Sequence, residues 1–440
     1  MKQRKLPLAL SLCAASLTSP FSAAEDSADG FLEGSRLDIL NRNFYYNRDD
    51  RHGQSSPKGN GYSEAWAQGL IGRYQSGFTE GSVGFGIDAF VLLGLQLDSG
   101  DGRNGGSGSF NVLPVDNQGR TESQYAKAGG AAKVRLFDSV LKVGDVFPET
   151  PVVHYGDSRL LPESFRGVTL ENQSVAGLKL QGGRLHSMSQ PSDRKLRDGF
   201  ATFYGGPVDS PWIAYLGGDY ALTERISVSL YGSRLKDAWN QYYAGTTLEY
   251  PLADELALFG GFNYYKSVDD GRQLLGEFDT HIWSGKLGVR FGAHSVALTH
   301  QRNNGNNDFD YLRQADSIYL DNSIQYTDFN SPKERSWMLR YDIDMQTFGI
   351  PGLSFMTRYG KGTDADYSHA NAIYMRRDEN GQPLTGQKRW ERDIEAKYVV
   401  QGGSLKDLSL RIRQATTRAS QFESDLDEIR LIVEYPLQVL

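Results

Sequence analysis

The end of the chain leaves few folds open. Residues 423–440 read ESDLDEIRLIVEYPLQVL, where Ile429, Leu431, Val433, Tyr435, Leu437 and Val439 are apolar and Glu428, Arg430, Glu434 and Gln438 sit between them. Alternation at period two gives an extended strand one apolar and one polar face. The rhythm recurs along the whole chain, and no apolar run is long enough to cross a bilayer as a helix. Such strands, repeated until the sheet closes, satisfy every backbone hydrogen bond inside a membrane. The expected fold is therefore all-β, a transmembrane antiparallel β-barrel.

The start of the chain agrees. Lys2, Arg4 and Lys5, a short apolar run and Ser22-Ala23-Ala24 have the form of a secretory leader cut after Ala24. That leaves residues 25–440 as one membrane domain. A lipidated Cys13 is disfavoured by the bulky Leu12 before it. Cleavage removes the single cysteine, so the exported fold needs no disulfide. Mean hydropathy is −0.49, yet aromatic residues make up 12% of the chain and there are 49 glycines. This mixture suits a barrel in which only alternate residues meet lipid and rings gather at the interfaces. No Pro- or Ser-rich linker divides the chain.

About eighteen strand-like segments are expected, near 35–46, 62–77, 82–96, 123–137, 139–146, 166–174, 176–188, 211–222, 224–235, 239–251, 254–266, 281–292, 294–303, 335–346, 352–361, 390–400, 405–416 and 426–440. Connections alternate short and long, with one exception on the long side, the tight link near Lys236–Ala238. Asp138-Ser139, Thr223-Glu224 and Gly402-Gly403 are short, whereas 97–122, 147–165, 304–334 and 362–389 are long. Short turns on the periplasmic side and long loops outside are the outer-membrane arrangement. The loop 147–165 is Pro-punctuated and partly apolar, which suits burial inside the lumen.

Parity assigns the faces. In 82–96, Val83, Phe85, Ile87, Ala89, Val91, Leu93 and Leu95 share the lipid side. In 123–137 the apolar set leaves Lys127, Lys133 and Arg135 facing inward, and in the last two strands Arg411, Arg413 and Arg430 face inward. Arg340 follows the same rule. An acidic chain, of net charge −7, thus places arginines on an interior wall. For any single arginine, pairing with inward acids such as Asp342, Asp344, Glu428 or Glu434 accounts for it equally well.

The stretches NRNFYYNRD (41–49), QSGFTEGSVGFGIDAF (75–90), AGGAAKVRL (128–136), GDSRLLPESFRG (156–167), SLYGSRLKDAWNQYY (229–243), NSIQYTDFN (322–330), PGLSFMTRY (351–359), EAKYVVQGGSLKDLSLRIRQA (395–415) and EIRLIVEYPLQVL (428–440) together resemble the OprD family of substrate-specific outer-membrane channels of pseudomonads. The resemblance spans essentially the whole mature chain. It implies an eighteen-stranded barrel, monomeric or loosely trimeric, narrowed by inward loops to an eyelet. It implies passive uptake of small carboxylate-bearing solutes, either amino acids and small peptides or cyclic and aromatic acids. The family's basic ladder falls on Arg48, on Arg159 beside Ser158, and on Arg411, Arg413 and Arg430. A further basic rung falls near Tyr62 and is missing. The family's loop acid falls on Asp316, and its pocket aromatic, often Tyr, on Phe203 with Tyr204 next to it. Asp308 and Asp310 are further loop acids that could hold a substrate ammonium.

Other chemistry has little support. Gly84-Phe85-Gly86-Ile87-Asp88-Ala89 has dinucleotide-type spacing but lies inside a strand with no helix after it. The seven histidines show no metal-ligand spacing, and no cofactor is implied. The rival reading is a barrel hydrolase with a rim active site, but no nucleophile elbow is present. No basic patch with interleaved aromatics points to nucleic acid. The implied partners are small carboxylates, outer-membrane lipid and, during insertion, the barrel assembly machinery.

Overall fold

A computed structural model describes residues 30–51, 61–98, 103, 112–116, 120–313 and 318–440. The expected leader and Asp316 lie outside the described residues. Eighteen strands form one sheet in which every neighbouring pair is antiparallel. In chain order they are Arg36–Asp50, Tyr62–Gln75, Val83–Asp98, Gln124–Leu136, Ser139–Val146, Ser164–Val175, Leu178–Ser189, Ile213–Thr223, Ile226–Leu235, Trp239–Ala253, Leu256–Asp269, Asp279–Phe291, His294–Asn303, Arg335–Asp344, Leu353–Ala365, Gln387–Val399, Ser409–Ala419 and Leu426–Gln438. The first strand pairs with the last from Asp38↔Gln438 to Asp50↔Leu426, which closes the barrel and leaves no edge.

All eighteen expected segments are present. The first runs on to Asp50, because its outer half pairs with both Tyr62–Gln75 and the last strand. The seventeenth starts at Ser409 rather than 405, because Gly403–Leu405 is a turn of 3-10 helix. Short periplasmic connections are tight: Gly292 takes φ 53° in the two-residue link from Phe291 to His294, a conformation that favours glycine.

The faces follow parity over most of the wall. Phe85, Ile87 and Val91 are exposed to lipid, while Gly84, Gly86, Phe90 and Leu92 are buried on the lumen side. Leu410 and Ile412 point out, and Arg430 is buried inside. The first two strands depart from the rule. Their lumen side carries an apolar patch beside Arg42 and Arg48, with Leu40, Phe44, Ala65, Ala67 and Ile71 buried in one cluster with Leu160 and Leu161 of the loop after Val146. Their outer side carries Asn41, Asn43 and Gln68, whose amides bond one another laterally, with the Trp66 indole donating to Asn43 at 2.9 Å. Burying a loop against this inner wall is favourable only if the wall is apolar, so here the alternation inverts.

The closing strand generates the first prediction. Deleting residues 429–440 removes most of both pairings that seal the barrel. The truncated chain is expected to show no heat-modifiable band on gels, and normal heat modification would refute the closure.

Candidate functional site: the lumen

The loop between Val146 and Ser164 crosses the inside of the barrel. Its tip is a small hairpin, Glu149–Thr150 against Val153–His154. Val152, Val153 and Tyr155 pack in one cluster with Tyr243 and Tyr265 of the far wall, and the Tyr265 hydroxyl donates to the Pro151 carbonyl at 2.9 Å. The return limb presses Leu160 and Leu161 onto the first two strands. Gly69 allows this approach: a β-carbon there would lie 3.0 Å from the Leu160 carbonyl oxygen. Arg42 of the wall grips the same limb. Its guanidinium donates to both Asp157 carboxylate oxygens at 2.7 and 3.1 Å, to the Arg159 carbonyl at 2.8 Å and to Glu434 of the last strand at 2.7 Å. Gly156 and Glu163 close the limb with reciprocal bonds of 2.9 and 2.8 Å.

A second inward segment, residues 318–331, runs along the wall from the strand Asp279–Phe291 to the last strand. Asp321 pairs with Lys286 at 2.8 Å, and Gln301 donates to the carbonyls of Asp328 and Phe329. The Glu391 carboxylate accepts from the backbone N–H groups of Tyr326 and Thr327 at 3.0 and 2.7 Å. His154 at the tip of the first loop meets the Tyr319 hydroxyl at 2.9 Å, so the two segments touch.

Between them opens a cavity of about 560 Å³. Ser158, Arg159, Ser323 and Ile324 border it from the loops, and Arg411 and Arg413 from the wall. Seven Lys or Arg side chains and five carboxylates line it. Arg340, Arg358, Lys397, Arg411 and Arg413 come from four successive strands and make that wall basic, while Glu149 and Asp157 come from the loop. Arg411 and Arg413 share one partner, Glu395, at 2.9 and 3.1 Å. A second cavity of about 330 Å³ lies on the other flank of the loop, with Glu149 bordering both.

Of the five expected ladder residues, the structure brings Arg159, Arg411 and Arg413 to one cavity. Arg48 and Arg430 lie higher on the same wall and are almost fully buried. They also share one carboxylate, Glu428, at 2.7 and 2.5 Å. Gln325 donates to that carboxylate at 3.0 Å and the Tyr326 ring lies 4.7 Å from the Arg48 guanidinium, so the second segment covers both arginines. Arg159 feels the charges of Arg430, Glu428 and Arg48 and so sits with the arginine wall. Its expected partner Asp316 lies outside the described residues.

Other expected residues sit off the cavity. Phe203 stacks on Tyr311 with centroids 5.0 Å apart, and the Tyr204 hydroxyl is held by Asp328 at 2.8 Å and Asn330 at 2.9 Å. Lys133 is inward but buried, paired with Asp88 at 2.9 Å beneath the Phe78 ring, which Arg135 also covers. Asp308 and Asp310 are neither solvated nor open to a solute. Asp308 accepts from the Tyr367 hydroxyl, and Asp310 from the Tyr374 hydroxyl and the N–H groups of Tyr204 and Gly205. Arg42, Arg358 and Lys397 were not singled out in the sequence. The parity that found Arg411 would have found Arg358 and Lys397, since each alternates with neighbours on the lipid side; it would have misplaced Arg42, which shares its face with Leu40 and Phe44.

Two predictions follow from the docked loop. Arg42→Ala leaves Asp157 and Glu434 without their shared cation, a change that costs less than the roughly 3–5 kcal/mol of a fully buried pair because both carboxylates border the cavity. The barrel should still fold, with single-channel conductance raised and noisier, whereas quiet wild-type conductance would show that Arg42 does not hold the loop. Burial pushes the His154 imidazole from its usual value down to about 4, against the opposing pull of Asp157. As a base whose folded value lies below its free value, it favours the docked loop above about pH 6.5 and works against it as pH falls towards 4. Conductance noise should therefore grow across that window in the wild type and not in His154→Phe; identical pH profiles would exclude the histidine.

This architecture is shared with known proteins. Residues 29–439 match the family described as "outer membrane porin, OprD family". Porin D of Pseudomonas aeruginosa is 41% identical over 431 residues, covering 96% of this chain and 94% of Porin D. The crystal structure of OpdK from Pseudomonas aeruginosa with vanillate superposes with a TM-score of 0.82 at 34% identity, covering 93% of this chain and all of that one. That of OccK9 (OpdG), also from Pseudomonas aeruginosa, gives 0.85 at 35% identity over the same shares. The protein is a non-enzymatic channel of the Gram-negative outer membrane. By its sequence over nearly its full length, and by its closed eighteen-stranded barrel, the chain belongs to the OprD family of outer-membrane porins.

Proposed function

We propose that the channel passes small carboxylate-bearing solutes by passive, selective diffusion, guided by lumen arginines. The observation that carries this reading is the sharing of Glu395 by Arg411 and Arg413 on the cavity wall. One carboxylate cannot neutralise two guanidiniums, so a positive charge is left over in a narrow, low-dielectric passage. Arg48 and Arg430 repeat the arrangement on Glu428. A solute carboxylate is the complement: it accepts two N–H bonds from one planar guanidinium. Several such sites of moderate strength let a solute step along without being trapped. Vanillate, found with the OpdK relative, is an aromatic acid of this kind. Passage past Arg48 and Arg430 requires Gln325 and Tyr326 to lift from them. Asp316, a few positions before that segment in the sequence, is assigned the sorting of the solute's remaining charge.

The reading also takes residues 1–24 as a cleaved leader and the assembly machinery as the insertion partner. It takes the working state as a monomer or a loose trimer.

The test is Arg411→Gln with Arg413→Gln, compared with wild type in proteoliposomes supplied with arginine or benzoate. The barrel should stay folded while Glu395 loses both partners. Benzoate uptake should fall roughly tenfold, the effect of about 1.4 kcal/mol, and ion selectivity should shift towards cations. Comparison of the two solutes in the wild type identifies the substrate branch. Unchanged uptake and selectivity in the folded double variant would show that these arginines serve only the wall.

A further inference from the structure

The outer wall carries a cluster of cations that the lumen does not explain. Parity places Arg302, Lys361 and Arg392 on the lipid-facing side of strands His294–Asn303, Leu353–Ala365 and Gln387–Val399, and all three are exposed. None of them is ion-paired among the described residues. Inside the barrel the pattern is the opposite: Arg42, Arg48, Arg358, Arg411, Arg413 and Arg430 each have a carboxylate. An unpaired cation on the lipid face is unfavourable and is tolerated best near the headgroups.

Lys361 and Arg392 stand on adjoining strands, and Arg302 stands on the far side of the strand Arg335–Asp344 from Lys361. Lys361 stands between Trp337 and Trp390 in the register, and Arg392 is opposite Tyr359. Trp337 stacks on His300 with centroids 4.2 Å apart, and Tyr359 stacks on Trp390 at 5.8 Å. Aromatic rings of this kind mark the membrane–water interface. Below them lie exposed Leu298, Leu339 and Ile394, the apolar band. Arg302 lies eight residues above His294 at the periplasmic end of its strand, roughly 20 Å of height at the usual barrel tilt, against an apolar band about 25 Å tall. Arg302 also stands directly opposite Arg335, an unfavourable like-charge pairing. Arg335 already holds Asp364 at 2.8 Å, so its own charge is met while that of Arg302 is not.

We propose that Arg302, Lys361 and Arg392, framed by Trp337 and Trp390, form a docking site on the outer wall for the phosphate groups of a phosphorylated glycolipid of the extracellular leaflet. The cations meet the phosphates, guanidinium by two-point contact and ammonium as a point charge. The tryptophans sit at the level of the sugar headgroup, and the leucine band meets the acyl chains. The chemistry asked of the partner is an anion at the top of a long apolar tail. A soluble anion would not reach the band, and a neutral lipid would leave the cations unmet.

The test is native mass spectrometry of the full channel in neutral detergent with bis-phosphorylated lipid A as the probe. Wild type is expected to retain the lipid, at least tenfold better than R302Q/K361Q/R392Q, and to lose it in high salt. Lipid A stripped of its phosphates should bind wild type and triple variant alike, and weakly. K406Q, on a periplasmic turn, serves as the charge-matched control for K361Q and should bind as wild type does. Heat modification and benzoate uptake report that the triple variant is folded; should it fail to insert, K361Q alone is expected to weaken binding about threefold. Equal binding of bis-phosphorylated lipid A to wild type and variant would overturn the proposal. So would equal binding of the phosphate-free lipid and the intact one to wild type. Conversion of a detergent-stable oligomer to monomer in the variant, with lipid binding unchanged, would assign the patch to a second copy of the chain instead.

Discussion

The grip of Arg42 on four acceptors holds the lumen in its narrowed form. One planar guanidinium ties the inward loop, through Asp157 and the Arg159 carbonyl, to Glu434 of the last strand. It therefore joins the seam of the barrel to the element that constricts it. A lysine at this position could not make the set, because a point charge cannot offer a fixed fork of donors in one plane. Around this grip the inner wall changes character. Leu40 and Phe44 turn inward, Gly69 gives up its side chain, and Leu160 and Leu161 fill the space.

With the loop fixed, the cavity acquires two unlike sides. One is the basic wall built from consecutive strands, and the other is a loop that presents Glu149 and Asp157. Because Glu395 and Glu428 each serve two arginines, the wall keeps surplus positive charge where water is scarce. The sharing leaves no arginine of these two pairs without a carboxylate, whose absence from a buried guanidinium would be unfavourable. The extracellular loops achieve the reverse. Asp308, Asp310 and Asp328 are saturated by tyrosine hydroxyls and backbone N–H groups, so they stiffen the loops rather than face a solute.

Much of this was legible in the chain. Strand number, barrel closure and the inward aim of Arg411, Arg413, Arg340 and Arg430 all follow from period two, since a charge on the lipid face is penalised and one in the lumen is not. The loop 147–165 was legible as an inward element from its prolines and apolar residues. Lys133 shows the limit of the same rule. Parity turns it inward, but only the fold brings Phe78 over it and Asp88 against it. Phe203 and Tyr204 were assigned as pocket aromatics by resemblance, and only the fold shows their contacts with Tyr311, Asp328 and Asn330.

The sequence by itself determined the membrane, the barrel and, beyond the first two strands, the side on which most wall residues fall, because those depend on the local alternation of hydrophobicity against lipid. The tertiary structure decided which arginines share a carboxylate, which are covered by Gln325 and Tyr326, and where the loop comes to rest. These depend on contacts between residues hundreds of positions apart, such as Arg42 with Glu434 and Arg48 with Glu428. It also decided that Asn41 and Gln68 face outward while Leu40 and Phe44 face in. Periodicity alone cannot distinguish an apolar lumen under a docked loop from an apolar face in lipid, since both bury the same side chains away from water.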